Sequence, residues 1–590
     1  MKGNSKDMKT SHCYWQLIKY KPWLYLFIVI LWIVTHMMTL VNGFIIKEFF
    51  DIISGKSFLN IGISGLILLI IISTLLLILT IQLNFRRETL HKFSISTLLR
   101  RNMLDSILKK AGAKALQTSI GEAINSFRDD VQQVETSIGW LSWLIGQITF
   151  SIFSIIILLK INAKITLLVF VPVIAVRMLG EKLQKRIEKN REHSRQATAD
   201  VTGAVGEIFE SVLAIKVSGS QKYIVNNLKK LNEKRHHLMI KDSFLTQLVN
   251  SIYSNAVNLG IGLILLLAGQ AMRDGSFSVG DFALFVYYLS FVTDSIESFG
   301  NFLINYKQTG ISFKRMTNLI QSENSNEIIK HKPIYLKEKD INEHNEINMD
   351  FKHKSLNTLQ VKGLNYCYEN SEKGINNINF TLNKGEITVI SGRTGSGKTT
   401  LLKTLLGLLS ADSGEVYWNG EIVKMPKNFF IPPICAYTSQ VPNLFSDTVR
   451  NNILLGISEE SVDLKGAINS AVLEKDIEQF ENGLDTVIGP KGVKLSGGQV
   501  QRVAAARMFV RNGQLIVFDD ISSALDIETE KKLWTRLFTE NKPTCIIVSN
   551  RRFALEQADN IILMKDGTIE SKGKLNDLLK SSREMQQIWG

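Results

Sequence analysis

Cysteine, proline and, over long stretches, charge are what this 590-residue sequence has least of. Its four cysteines, Cys13, Cys367, Cys435 and Cys545, are too scattered for a disulfide framework, and none forms a CxxC pair or a Cys/His cluster at metal-ligand spacing. They read as reduced packing residues. Charged residues make up only 21% of the chain, against about 25% in a typical globular protein, yet the net charge is +14. One ordinary soluble domain is excluded, because at roughly 100 to 200 residues per domain this length requires several. The basic runs must also be balanced by stretches almost free of charge, which points to a membrane.

About 20 apolar residues in a helix cross the roughly 30 Å hydrocarbon layer. Trp23 to Ile46 and Ser57 to Phe85 hold no Asp, Glu, Lys or Arg. Ser137 to Leu159 and Ile165 to Val176, the latter extending back to Ala163 and containing Pro172, are separated by the Lys160 to Lys164 turn. Ser243 to Met272 and Phe282 to Ile304 flank the turn-forming RDGSFSVGD, Arg273 to Asp281. These six runs are the expected spans. The first is about twice as long as the 7 to 15 residues of a signal-peptide core, so it reads as a retained anchor.

Lys and Arg number 5 before the first span, 9 between the second and third, and 14 between the fourth and fifth, against 2, 2 and 1 in the alternate loops. That asymmetry predicts a multi-pass protein of the cell membrane with both termini cytoplasmic. The basic excess therefore follows membrane sidedness, and a nucleic-acid partner is not expected. The two basic loops, about 84 to 136 and 177 to 242, have almost no proline and are rich in helix formers. They are expected to be cytoplasmic helical hairpins, with arms of about 25 residues reaching about 38 Å.

From Gln321 to Leu356 the sequence is polar and aperiodic and reads as a linker. Beyond it, short apolar runs such as Glu386 to Ile390, Leu515 to Phe518 and Cys545 to Val548 alternate with helical patterns, as in an α/β fold with a largely parallel sheet. Between the first run and a helix starting near Lys398 lies SGRTGSGKTT, which contains G-x-x-x-x-G-K-T. Gly392, Arg393, Thr394, Gly395, Ser396, Gly397, Lys398, Thr399 and Thr400 form a phosphate loop in this reading. Backbone N–H groups and the helix start face a phosphate, Lys398 reaches its β and γ oxygens, and Thr399 ligates Mg2+. Asp519, ending the apolar strand LIVFDD, is placed to hold the same Mg2+. LSGGQ, Leu495 to Gln499, opens a second helix whose start suits an anion, so a nucleotide sandwiched between two copies is expected.

With these motifs the chain resembles the ATP-binding-cassette (ABC) family, in particular exporters that fuse a membrane domain to a nucleotide-binding domain. The resemblance covers nearly the whole sequence. It implies ATP and Mg2+ as cofactors, Tyr368 stacking on adenine, and Gln440 linking Mg2+ to the membrane domain. It also implies that Ser496, Gly497, Gly498 and Gln499 contact ATP held by a partner, and that SALD, Ser523 to Asp526, couples the two sites. GEAINSFRDDV from Gly121 and GEIFESVLAIK from Gly206 look like the segments beside the family's coupling helices. The expected architecture is multi-domain: a cytoplasmic segment 1–22, a six-helix all-α transmembrane domain 23–320 with long cytoplasmic hairpins, a linker 321–356, and an α/β P-loop ATPase domain 357–590.

The sequence departs from the family's pattern at catalytic positions. Where the resemblance implies Glu after the Mg2+ aspartate and His in the switch loop, this chain has Asp520 and Asn550. Asp520 is one methylene short, a retreat of about 1 Å, and a misplacement of that size costs roughly a hundredfold in rate. Asn550 donates a hydrogen bond but is never cationic. In VIGPKG, Pro490 replaces an acidic residue. Intact binding elements with weakened hydrolytic ones match one half of a heterodimeric exporter with a degenerate site. A homodimer with a slow Asp520 stays open, the heterodimer being preferred.

Asp294 and Glu297, i,i+3 neighbours on one helix face in the sixth span, are candidates for a substrate cavity, or else lie in water at the cytoplasmic end of a long helix. Asn255, Asn258 and Gln270 in the fifth span line a cavity or bind neighbouring helices. With about 22 residues before the first span, neither an N-terminal leader-peptidase domain nor a substrate-binding domain is expected. The implied function is ATP-driven export of a hydrophobic or amphipathic drug, peptide or lipid by a dimeric half-transporter in contact with membrane lipid. The alternative is an ATP-gated regulatory or channel-like ABC protein with little hydrolysis.

Overall fold

The computed structural model describes residues 9–56, 61–110, 112, 118–321, 325–334, 355–368, 371, 373–489, 493–522, 524–541 and 543–590. For 172–189, 249–250, 252–254, 256–257, 259 and 539–541 it describes the backbone alone. Pro490, Ser523, most of the expected linker and the start of the second expected span lie outside the described residues, as does the Pro172 side chain. The chain divides into two compact units, one of Met1–Leu104 with Thr118–Ile334, the other of Asp105–Gln117 with Tyr335–Gly590.

The described part of the first unit is helical: α1 (Thr10–Tyr20), α2 (Pro22–Ile53), α3 (Ile63–Leu108), α4 (Ile120–Asn125), α5 (Val131–Glu210), α6 (Val212–Val217), α7 (Gln221–Arg273) and α8 (Val279–Ile320). Among the described residues, four helical stretches are long and apolar enough to cross a membrane: Pro22–Ile53, Ile63–Leu108, Ile120–Val171 and Val279–Ile320. Gly260–Arg273 adds a shorter apolar one. The third and fourth expected spans both fall within α5, which breaks at Asn162 (φ −155°, ψ 99°). There the Asn162 side-chain oxygen accepts from the Ile165 amide at 3.0 Å, capping a new helix start inside the lysine-flanked turn. Ile155 and Leu159 before the break line the same pocket as Thr166 and Phe170 after it, so the two arms fold back on each other. With α5 counted as two arms, the helices accommodate the six expected spans.

The arms of the expected cytoplasmic hairpins continue the membrane helices. Helix α3, the second arm of α5 and helix α7 each continue without a break between apolar and basic sequence, α3 alone being 46 residues or about 69 Å long. No proline or paired glycine interrupts the sequence where the apolar runs end, so hydrogen bonding simply continues. The bundle core gathers Leu40, Phe150, Leu158, Ile264, Phe285 and Tyr288. Tyr288 presses on Gly43, where an added Cβ would come within 2.3 Å of the ring, and its hydroxyl donates to the Leu40 carbonyl at 2.7 Å. Outward-facing Leu68, Leu75 and Leu79 on α3 remain exposed, as a lipid-facing surface requires. After α8, Ser325–Ile329 forms a tight turn with Ile328 buried, and the buried Asn102 amide donates to the carbonyls of Ile328 and Lys330. Within the expected linker, the segment around Ile328 to Lys330 is therefore packed structure.

The second unit holds two sheets. An antiparallel sheet of order β2-β1-β4-β5 comprises β1 (Thr358–Cys367), β2 (Gly374–Asn383), β4 (Ser413–Trp418) and β5 (Glu421–Ile422). The main sheet has order β10-β9-β3-β8-β7-β6, from β3 (Ile387–Ser391), β6 (Cys435–Thr438), β7 (Leu515–Asp519), β8 (Thr544–Val548), β9 (Asn560–Lys565) and β10 (Thr568–Gly573). All its pairings are parallel except β10 with β9. Ile516, Phe518, Cys545 and Ile547 enter the core on one face, while Leu515, Val517, Ile546 and Val548 enter the core on the other. Burial on both faces explains the unbroken apolar runs in the sequence. It also leaves the carboxyl ends of β3, β6, β7 and β8 as the edge where polar residues collect.

Candidate functional site

A cleft of about 660 Å³ opens at that edge, lined by residues from Tyr368 and Ser371 to Asn550 and Arg551. Immediately after β3 the backbone turns through Gly392 (φ 149°), Gly395 (φ 85°) and Gly397 (φ 99°) into the helix Lys398–Leu405. A Cβ at Gly392 would lie 2.3 Å from the Met564 carbonyl oxygen, so this turn needs both the glycine backbone and its missing side chain. Lys398 Nζ donates to the carbonyls of Gly392 (2.6 Å) and Arg393 (2.8 Å), curling the loop around the ammonium. Burial depresses the Lys398 pKa, and the charges of Asp520 and Asp519 oppose that shift.

Thr399 Oγ1 donates to Asp519 Oδ1 at 3.0 Å. Asp519 is almost fully buried at the end of β7, its other carboxylate oxygen has no hydrogen-bond partner, and burial raises its pKa. An orphaned, buried carboxylate oxygen beside a threonine hydroxyl is a hard-oxygen donor set that fits a divalent cation such as Mg2+. The next residue, Asp520, adopts φ +54°, a left-handed conformation that Asp tolerates better than most side chains. Its amide donates to Val548 O at 3.0 Å, and its carboxylate accepts from Gln440 Nε2 at 3.4 Å.

Asn550, just past β8, turns its side chain to the loop. Its Oδ1 accepts from Ser391 Oγ (2.8 Å) and the Gly392 amide (3.2 Å), while Nδ2 donates to Gly392 O (3.1 Å). Tyr368 lies across the cleft, half exposed, edge-on to Tyr366 at 5.0 Å, with its hydroxyl 3.2 Å from Thr400 Oγ1.

Of the residues picked out in the sequence, Tyr368, Thr394, Gly395, Gly397, Lys398, Thr399, Thr400, Gln440, Asp519, Asp520 and Asn550 line this one cleft. Gly392, Arg393 and Ser396 belong to the loop but do not line it: Ser396 is buried beneath, and the Arg393 guanidinium turns to Glu584 at 2.5 Å. Ser371, Lys373, Gly374, Ser549 and Arg551 line it and were not singled out, the only hint being that Arg551 follows Asn550.

Ser496, Gly497, Gly498 and Gln499 lie outside the cleft. Ser496 caps the helix Gly497–Phe509 in a reciprocal pair with Gln499. Gln499 Nε2 also donates to Asp476 (3.1 Å), which Arg502 grips with two bonds, so this glutamine side chain is engaged within its own chain. Asp294 and Glu297 are exposed and do not line the membrane unit's apolar pocket of about 460 Å³. That pocket is walled on α8 by Val292, Ser295, Ile296 and Phe299, a different face. Asn255 and Asn258 are also exposed, the former bonded back to Ser251 O.

A membrane-crossing helical unit joined to a parallel-sheet domain with a phosphate loop, an orphaned metal-type carboxylate and a separate glycine-rich helix start defines an ATP-binding membrane transporter. Residues 25–296 match the family model of the ABC transporter transmembrane region, and residues 375–523 match the ABC transporter family model. The chain belongs to the ABC transporters, as an exporter-type half-transporter: a multi-pass membrane protein that binds ATP and couples its hydrolysis to transport. A Rickettsia bellii protein whose name describes export ATP-binding and permease roles is 25% identical, over 91% of this chain and 92% of its own length. The ATP-dependent lipid A-core flippase of Pasteurella multocida is 24% identical, over 80% of this chain and 79% of its own. A solved structure of a bacterial Atm1-family ABC exporter with ATP bound has the same fold, with TM-score 0.74 at 19% identity, covering 95% of this chain and 97% of the other.

Proposed function

We propose that this chain is one half of a dimeric exporter that moves an amphipathic compound of the lipid class, and that its own ATP site binds nucleotide better than it hydrolyses it. The observation that carries this reading is the state of the two catalytic side chains. Asp520, already one methylene short, shares its carboxylate with Gln440, and Asn550 spends its amide on the phosphate loop.

In this reading Tyr368 stacks on adenine, residues Gly392 to Thr400 wrap the phosphates, and Lys398 neutralises their β and γ oxygens. Thr399, Asp519 and Gln440 would hold Mg2+, which screens the phosphate charge when bound. Asp520 would orient the attacking water, and its short reach slows that step. Asn550 holds Gly392 in place but brings no positive charge to the transition state. Ser496, Gly497 and Gly498, outside the cleft, complete the site of a partner half. The heterodimer is preferred because a partner with Glu and His at the corresponding positions would restore one competent site; a homodimer would have to turn over on Asp520 alone.

The lipid class is supported by the flippase relatives and by the apolar pocket between α5 and α8, whose polar groups are the Ser151–Ser295 hydroxyl pair (2.6 Å) and Thr166. Both termini are assigned to the cytoplasm on the distribution of Lys and Arg. Transport of a fluorescent phospholipid in proteoliposomes containing the chain, with and without its partner half, tests the reading. ATP-dependent movement that Lys398→Ala abolishes is expected, and movement indifferent to both ATP and Lys398 overturns it.

A further inference from the structure

We propose that the C-terminal helix Arg583–Trp589 is a clamp that sets the register of the phosphate loop against the segment carrying Asn550, with Glu584 and Trp589 as positioning residues. The inference rests on the assignment of the cleft as the ATP site.

Arg393 occupies the second position of the phosphate loop, but its guanidinium points away from the cleft. It pairs with Glu584 at 2.5 Å and donates to Gln587. Glu584 is nearly fully buried, whereas the Arg393 side chain is largely exposed, so the anchor lies in the helix and the loop is what it holds. The Arg393 carbonyl meanwhile accepts from Lys398 Nζ (2.8 Å) and from the Ser396 amide (3.1 Å). Whatever fixes Arg393 thus fixes the oxygen that helps to hold the phosphate-binding ammonium.

The far end of the same helix reaches the other strand end. Arg552, two residues after Asn550, stacks on the Trp589 ring with 5.4 Å to its centre and donates to Trp589 O at 2.8 Å. Asn550 in turn is bonded to Gly392, next to Arg393. Loop, switch segment and C-terminal helix therefore close a ring of contacts: Gly392 to Asn550, Arg552 to Trp589, Glu584 to Arg393. The helix itself is seated by Met585, fully buried in the domain core, and started by Ser582, which accepts from the Met585 amide. None of the three helix residues touching the ring lines the cleft, so the effect on nucleotide passes through the loop.

The test is equilibrium binding of a fluorescent N-methylanthraniloyl ATP with Mg2+ to the full chain in lipid nanodiscs, alongside its melting temperature. Arg393→Ala and Glu584→Gln should each weaken binding about tenfold, and the double variant also about tenfold rather than a hundredfold, because both remove one linkage. The reversed pair Arg393→Glu with Glu584→Arg should recover most of the affinity, and Trp589→Phe should bind more tightly than Trp589→Ala. Multiplying effects in the double variant, or lowered melting temperatures with unchanged affinity, would overturn the clamp and leave the helix a packing element. Should Glu584→Gln fail to accumulate, Arg393→Ala and Gln587→Leu, both at exposed side chains, form the same cycle. Lys398→Ala separates the two levels: if it binds as well as wild type, the site assignment itself is wrong; if it loses binding while the cycle shows no coupling, only the clamp is wrong.

Discussion

Asp519 carries the clearest acid–base consequence at the scale of single residues. Burial raises its pKa above the ordinary 3.8, so the folded protein holds that proton more tightly than the unfolded chain. Its contribution to the stability of the nucleotide-free protein is therefore favourable at low pH and is lost as pH rises from 3.8 through the raised value. Mg2+ competes with the same proton, so the rise in melting temperature given by Mg2+ with ATP should grow across that window; a rise independent of pH contradicts the assignment. Thiol chemistry gives a second check. Burial pushes the Cys13 thiol up to about 12 and raises those of Cys435 and Cys545 as well, while Cys367 is exposed beside Tyr368. Iodoacetamide at pH 8 should modify Cys367 alone in the folded protein, as read by peptide mass spectrometry, and ATP should slow that reaction severalfold. Reaction at Cys435 or Cys545 at a comparable rate would contradict the packing. At this scale the linear motif from Gly392 to Thr400 was legible in the sequence because its chemistry is mostly main-chain geometry written in glycines. Lys373 and Arg551 were not legible, because only the folding of their loops brings them to the cleft. The outward turn of Arg393 depends on a helix almost 200 residues further along the chain.

Among the elements, the close contacts between membrane helices rest on missing side chains. Gly43 on α2 admits the Tyr288 ring of α8, and Gly146 on α5 lies where a Cβ would approach Trp32 O of α2 at 2.7 Å. Gly43→Val should destabilise the helical unit by about 1 to 3 kcal/mol through overpacking, measured as a lower melting temperature in detergent with nucleotide affinity unchanged. An unchanged melting temperature would mean that α2 and α8 do not pack through this contact. Three strands of the main sheet, β3, β7 and β8, were readable to within a residue, since parallel strands buried on both faces show as solid apolar runs. The continuity of α3, the second arm of α5 and α7 was harder to read. Where apolar sequence gives way to basic sequence the solvent changes but the backbone does not, and hydropathy marks only the former. The break at Asn162 was legible as a turn between lysines, although its cause, a side chain capping the following helix, is a matter of geometry.

For the whole molecule, the proposed topology, with both termini cytoplasmic, accounts for much of the net charge of +14 as a record of sidedness. A cysteine introduced at Ser54, after α2, should react with a membrane-impermeant maleimide on intact cells, and one at Ser218, after α6, only after permeabilisation; the reverse pattern would invert the assigned topology. The larger question is how a chain with this phosphate loop uses ATP when Asp520 and Asn550 stand at the positions proposed for catalysis. The proposal is that nucleotide binding is intact and bond cleavage is limited by those two side chains. Phosphate release by the purified chain alone, compared between wild type and the Asp520→Glu, Asn550→His double variant at equal ATP occupancy, tests this most directly. At least a tenfold gain in turnover is expected, with ATP affinity changed by no more than about threefold, a rate effect of the size that repositioning a catalytic carboxylate gives. Brisk turnover by the wild-type chain alone that the double substitution leaves unchanged or lowers would contradict it.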